Sequence, residues 1–390
     1  MVIKFCAIFF LFFTNIFSQD VKDFSYSTST EFIKQKKKFP FIKIVFPKKD
    51  TLLVESKDVI YFESNDKKLY LDIFEFKHEE LKPAVLLIHG GGWKSGNKSM
   101  LTPLAQSIAQ KGYNCFTIEY TLSTEAIYPK SVDDVLEAIN HIKSNALKYN
   151  IDTLKIAIVG CSSGGQMASL IGTKYFDKVN AIVNIDGILA FHHPQSKEGT
   201  LAEEWLGGTY DEKPDIWQDA SALNHVSKKT PPILFINSQY ERFHAGRDQM
   251  IEQLNNYNIY SKIQTIKNSP HTFWLFDPWF EETSNYIVQF LNSYLLFFFL
   301  PQNNSLMRFL KGYRQILKLV DGMKNIGVTK TLNFLILKVL TLVLEESLIK
   351  LLNNWKRSII LRSGEKLVIK FINNFRKDIV CHSQITKIYD

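Results

Sequence analysis

Lys155-Ile156-Ala157-Ile158-Val159-Gly160-Cys161-Ser162-Ser163-Gly164-Gly165 is the stretch on which the reading of this 390-residue chain turns. Lys155 to Val159 is a short, largely apolar run of the kind that forms a buried strand in a parallel sheet. Gly164 to Tyr175 reads as a helix. Between them Gly160-Cys161-Ser162-Ser163-Gly164 fits G-x-S-x-G, a sharp strand-to-helix turn that lifts a serine hydroxyl above the sheet. Glycines flank the serine because a side chain there would collide with the neighbouring strand and helix. Outside this setting the same five residues would be an ordinary glycine-rich turn; between a strand and a helix they mark Ser162 as a candidate nucleophile.

The surrounding pattern supports that setting. Val59 to Phe62 and Leu69 to Phe74 read as half-exposed strands joined by a turn at Asn65-Asp66. Ala84 to Ile88 is a continuous apolar run, followed by a helix from Leu101 to Gln110 closed by Gly112. A strand at Cys115 to Tyr120 and a helix at Ser131 to Lys148 precede the serine turn, and Ala181 to Ile185 is another buried strand. After an interruption the alternation resumes with Ile233 to Ile236, a helix from Asp248 to Asn256, a strand from Tyr260 to Ile266 and a closing helix from Glu281 to Leu296. Such alternation predicts an α/β chain with a mostly parallel sheet and helices on both faces. The interruption, 187–230, is rich in Trp, His and Gly and reads as a cap-like insertion.

Three further features belong with a serine nucleophile. His89-Gly90-Gly91-Gly92-Trp93 follows directly on a strand, and its unshielded amides suit an oxyanion hole. Gly91 and Gly92 are the expected donors, joined by the N–H of Ser163. A general base is expected after the last strand, where Ser269-Pro270-His271-Thr272-Phe273 places His271. His192, His193, His225 and His244 lack that chain order. The acid that orients the imidazole has three candidates. Glu241 falls where counting from Ile236 puts a strand-end carboxylate. Asp248 lies further on, where a carboxylate also suits a helix N-terminus. Asp186 ends the preceding strand. The count leans to Glu241 without excluding the others.

The His-Gly-Gly-Gly-Trp and Gly-Cys-Ser-Ser-Gly-Gly blocks resemble those of α/β-hydrolase carbohydrate esterases, the bacterial feruloyl/acetyl esterase-like group. Phe235-Ile236-Asn237-Ser238, Arg242-Phe243-His244-Ala245-Gly246-Arg247-Asp248, Pro270-His271-Thr272-Phe273-Trp274, Tyr120 and Tyr128-Pro129 are similar to an acetylxylan or pectin esterase-like subset. The resemblance covers 59–296 and implies an α/β-hydrolase fold and a serine esterase that removes acetyl-type groups from plant or algal polysaccharides through an acyl-enzyme. Its Arg-Phe-His-Ala-Gly-Arg-Asp block also makes Asp248 a competitor to Glu241. Trp93, Tyr120 and Trp274 are the expected substrate contacts, with Trp205 and Trp217 as further aromatic faces for sugar rings. No metal or other cofactor is expected.

Composition bounds the alternatives. Hydrophobic residues make up 45% and charged residues 22%, as in a globular protein with a sizeable core. The net charge of +8 is unevenly spread. Between Phe297 and Asp390 lie 16 Lys and Arg against 6 Asp and Glu, a surplus that leaves the remainder slightly acidic. A nucleic-acid partner would require a basic catalytic region, so none is expected. The basic tail 297–390 has no assignable role, and membrane contact by it has no specific support. Lys4, the apolar run Phe5 to Phe13 and Ser18 read as a secretory signal over 1–18, predicting a secreted or periplasmic protein. Residues 19–58 read as a loosely ordered basic arm. Once Cys6 leaves with the signal, Cys115, Cys161 and Cys381 form no disulfide framework. The competing functions are a peptidase of the same fold, for whose additional domain the chain before Ser162 leaves no room, and a non-catalytic carbohydrate-binding protein retaining the fold.

Overall fold

A computed structural model describes residues 25–77 and 81–296. The predicted signal 1–18 and the tail 297–390 lie outside the described residues. The centre is an eight-stranded sheet whose strands are β2 (Leu53–Glu63), β3 (Lys68–Phe76), β4 (Lys82–Ile88), β5 (Asn114–Ile118), β6 (Ile151–Cys161), β7 (Ala181–Ile185), β8 (Ile233–Asn237) and β9 (Ser261–Thr265). Their spatial order is β2-β3-β5-β4-β6-β7-β8-β9. β2 and β3 are antiparallel at one edge, and β5 through β9 run parallel.

The apolar runs are continuous because both faces of the sheet are covered. On one face Leu86, Ile88, Ile158, Ile182 and Phe235 pack with α3 (Lys130–Ser144) and α4 (Ser163–Lys174). On the other, Val85, Leu87, Val159, Val183 and Leu234 pack with α2 (Thr102–Ala109) and α8 (Phe280–Leu291). The alternation of successive residues between faces is the strand's period of two.

The N-terminal segment departs from expectation. Far from being a loose arm, its described part contains α1 (Thr28–Lys36) and the start of β2, so the predicted domain boundary at Val59 falls inside a strand. Ser27 and Thr30 form a reciprocal capping box at the start of α1. Phe39, Ile42 and Leu53 are buried in the core. A two-residue strand, β1 (Lys43–Ile44), pairs with β10 (Phe276–Asp277) just beyond His271. The buried Glu31 of α1 accepts a hydrogen bond from the Thr272 hydroxyl at 3.2 Å, so the segment braces the loop that carries the histidine.

The interruption folds as two short helices, α5 (Thr200–Leu206) and α6 (Pro214–Asp219), followed by a 3-10 turn at Ala222–His225. Trp205 and Trp217 are buried. Trp205 stacks on Trp93 with centroids 4.9 Å apart and donates its indole N–H to Ser131 Oγ at 3.0 Å. The Trp217 N–H goes to the Gly208 carbonyl at 3.0 Å. The Trp205 indole pins the insertion to the body of the domain, the Trp217 indole ties the insertion to itself, and neither offers an exposed face for sugar stacking. α7 (Arg247–Asn256) follows β8 and completes the described helices.

Candidate active site

β6 ends at Cys161, and Ser162 takes φ 54° and ψ −121° before α4 begins. Positive φ is disfavoured for any L-residue other than glycine, so surrounding contacts must hold this turn. One is the Ser162 N–H, which donates to the Ile185 carbonyl at 2.8 Å. The flanking glycines are required by space. A Cβ on Gly160 would lie 1.9 Å from the Gly164 carbonyl oxygen, and one on Gly164 would lie 2.2 Å from the Ile88 carbonyl oxygen.

His271 lies beyond β9, and its Nε2 is 2.8 Å from Ser162 Oγ across 109 residues of sequence. Its Nδ1 is 3.0 Å from Asp186 Oδ2. Because a carboxylate only accepts, Nδ1 carries the proton and Nε2 is left to accept from the serine hydroxyl. The ring is sandwiched by design of its neighbours: Phe243 stacks on it at 3.5 Å between centroids, and Trp274 meets it edge-on at 5.3 Å.

The acid position corrects the sequence-based preference. Glu241 is exposed on a 3-10 turn, and Asp248 is exposed on α7 with its carboxylate on Arg247 Nε at 2.9 Å. Neither is hydrogen-bonded to His271. Asp186, fully buried with φ 49°, occupies that place. β7 and β8 pair in register, Ile185 against Ile236, so acids after either strand end start from the same level of the sheet. The turn at Asp186-Gly187 presses on α4, where a Cβ on Gly187 would lie 2.4 Å from the Gln166 amide nitrogen.

Asp186 has more donors than His271 alone. Its Oδ1 accepts from the Ser238 N–H at 2.7 Å, and His244 Nε2 stands 3.5 Å from the same oxygen. Arg247 donates to His244 Nδ1 at 3.2 Å, so the remaining ring proton sits on Nε2 and faces the carboxylate. Burial on its own pushes the Asp186 carboxyl upward, but the donors from His244, His271 and Ser238 outweigh it and hold the group at about 2. The histidine that chain order set aside as a rival base therefore contacts the acid from its other side. Only its place in the Arg242–Asp248 block hinted at a role.

The loop after β4 crosses directly over the serine turn. A Cβ on Gly90 would lie 2.9 Å from both Ser162 Cβ and the Cys161 carbonyl oxygen. Gly91 and Gly92 have φ of 131° and 61°, conformations that glycine alone adopts freely. Among the described residues, the N–H groups of Gly91, Gly92 and Ser163 have no hydrogen-bond acceptor. Three unengaged amides beside a serine hydroxyl form an arrangement that can receive a developing oxyanion.

The aromatic residues expected to touch substrate do structural work instead. Trp93, Tyr120 and Trp274 are all buried. Trp93 donates its indole N–H to Gln166 Oε1 at 3.0 Å, and Tyr120 donates to the His89 carbonyl at 3.1 Å while stacking on the His89 ring at 4.4 Å. Trp274 is the wall behind His271. Among the described residues no group of three or more His, Cys, Asp or Glu is arranged to hold a metal ion.

His89 itself donates from Nδ1 to the Gly90 carbonyl at 2.7 Å, and burial pulls its pKa down to about 4 despite that hydrogen bond. The unfolded chain therefore binds a proton at His89 at a higher pH than the folded one. Stability is retained above about pH 6.5 and declines as pH falls toward 4. Between pH 7 and pH 5 this one group should cost about 2 kcal/mol. Urea unfolding at the two pH values measures the loss, and His89→Gln should reduce it; an undiminished loss in the variant would assign the effect elsewhere.

The comparisons with known proteins agree with this architecture. Residues 71–252 match the family model described as BD-FAE. Esterase LipC of Mycobacterium tuberculosis is 27% identical over 237 residues, covering 55% of this chain and 57% of the relative. The acetyl esterase of Salmonella paratyphi B is 24% identical over 160 residues, covering 40% of this chain and 50% of the relative. The chain thus spans only about half the length of these two relatives. A solved truncated form of a carbohydrate esterase from gut microbiota superposes with a TM-score of 0.54 at 22% identity, covering 63% of this chain and 99% of that one. The chain has the α/β-hydrolase fold.

Proposed function

We propose that this protein is a serine carboxylic ester hydrolase that removes acetyl-type acyl groups from carbohydrate polymers. The observation carrying the reading is the line of hydrogen bonds from Ser162 Oγ through the His271 ring to Asp186, at 2.8 and 3.0 Å, beside amides with no other acceptor. In this reading His271 Nε2 takes the serine proton as Oγ attacks the acyl carbon. The N–H groups of Gly91, Gly92 and Ser163 hold the negative oxygen, and Asp186 stabilises the imidazolium. Collapse of the tetrahedral intermediate expels the alcohol, which takes the proton from His271 and leaves an acyl-Ser162 ester. Water activated by the same imidazole then releases the acid.

The names of the similar proteins, an esterase, an acetyl esterase and a carbohydrate esterase, support the ester and carbohydrate parts of the proposal. The apolar segment Phe5 to Phe13 after Lys4 supports export to where such polymers lie. The test is covalent trapping. Incubation with a p-nitrophenyl alkylphosphonate should add one phosphonyl group to the peptide containing Ser162, as seen by mass spectrometry, with loss of turnover in step. Full activity in the absence of labelling at Ser162, or labelling elsewhere that abolishes activity, overturns the proposal.

A further inference from the structure

Glu198 lies in the insertion, outside every motif of the sequence. Its side chain is 90% buried, with a relative exposure of 10%, yet among the described residues its Oε1 has no hydrogen-bond partner. The cation facing that oxygen, Arg242 Nη2, is 3.6 Å away, beyond hydrogen-bond length. A buried carboxylate oxygen left without a donor is unfavourable, so its presence needs a reason.

The surroundings supply one. The Arg242 guanidinium lies 4.5 Å over the Phe243 ring, and Phe243 stacks on His271. Glu198 is close enough to His271 to interact with it electrostatically. Three residues on, Leu201 packs against the oxyanion loop, where a Cβ on Gly92 would lie 3.2 Å from Leu201 Cδ1. Lys94 in that loop pairs with Glu204 of α5 at 2.8 Å. The segment 198–204 thus spans from the imidazole to the proposed oxyanion amides. Burial pushes the Glu198 carboxyl above its ordinary value, against the opposing pull of Arg242 and His271, as fits a water-poor position.

We infer that Glu198 accepts a hydrogen bond from a free hydroxyl on the alcohol half of the substrate, and so selects esters of sugars or other polyols that keep a hydroxyl beside the acylated one. The inference rests on the hydrolase reading, because it uses the direction of proton transfer. His271 hands its proton to the departing alkoxide, which places the alcohol half next to the imidazole and hence next to Glu198. A hydroxyl neighbouring the ester supplies the donor that Oε1 lacks. A site with a buried acceptor discriminates strongly against an analogue without the hydroxyl, since the acceptor is then left unpaired.

The experiment compares kcat/KM of the full chain for a methyl β-xylopyranoside monoacetate, its peracetylated counterpart and p-nitrophenyl acetate, in the wild type, Glu198→Gln and Glu198→Ala. Wild type should prefer the monoacetate to the peracetate. The ratio of monoacetate to p-nitrophenyl acetate turnover should fall about ten- to a hundredfold in Glu198→Ala, and less in Glu198→Gln. An unchanged ratio overturns the inference, whether both rates hold or both collapse together through damage to the fold. So does a wild type indifferent to the free hydroxyl. Failure of the hydrolase reading is distinguishable, because there p-nitrophenyl acetate turnover would persist in Ser162→Ala.

Discussion

Ser162→Ala should lower kcat for p-nitrophenyl acetate by about four to six orders of magnitude while leaving the protein folded. The expectation follows from what the substitution removes and what it keeps. It removes the one oxygen that His271 Nε2 faces at 2.8 Å, and with it the atom that would form the acyl-enzyme. It keeps the backbone N–H that bonds the Ile185 carbonyl, the Cβ that packs under Gly90 and the same positive φ, which costs alanine about what it costs serine. Unfolding free energies of variant and parent should agree within about 0.5 kcal/mol. The amides of Gly91, Gly92 and Ser163 remain, so a residue of rate above the uncatalysed reaction should persist. Parent-like turnover in a folded Ser162→Ala protein would show that another group performs the attack.

Much of the site could be read from the sequence because its two fixed points lie at the ends of buried strands. β4, β7 and β8 are buried along their cores, and β6 is buried from Ile156 onward, so their apolar runs identify them and the loops after them. Ser162 and the glycine loop follow β6 and β4 directly, and close contact between Gly90 and the Ser162 turn leaves little choice of residue. The less legible parts depend on contacts between distant segments. α1 carries Lys34 and Lys36, which resemble a solvated charge run; Glu31, buried against Thr272, and Phe32, whose ring centroid lies 6.2 Å from that of Phe276, show that the helix is docked. The early part of β2, Leu53 to Lys57, alternates with charged residues because it is an edge strand, so its start is hidden. The tryptophans mislead for a related reason. An indole that closes an insertion onto a domain and one that stacks on a sugar have the same sequence signature, and only the partners of their N–H groups separate them.

The acid was undecidable by counting because adjacent strand ends arrive at one level, and this yields the second large expected effect. Asp186→Asn should reduce kcat by about four orders of magnitude, whereas Glu241→Ala and Asp248→Ala should each change it by no more than a few fold. An amide at position 186 can turn its NH2 group toward His271 Nδ1. That would favour the tautomer with the proton on Nε2, where it meets the serine hydroxyl as a donor and cannot take its proton. The alternative orientation keeps the tautomer but withdraws the negative charge that stabilises the imidazolium. Either way the loss belongs to kcat, with KM little changed. The side chain is buried among Ser238, His244 and His271, so a stability control accompanies the kinetics: urea unfolding must show the variant folded under assay conditions. A folded Asp186→Asn enzyme with near-parental kcat, together with a collapse in Glu241→Ala or Asp248→Ala, would move the acid to the strand that counting favoured. It would also mean that the contact at 3.0 Å between Asp186 and His271 holds the ring without taking part in the reaction.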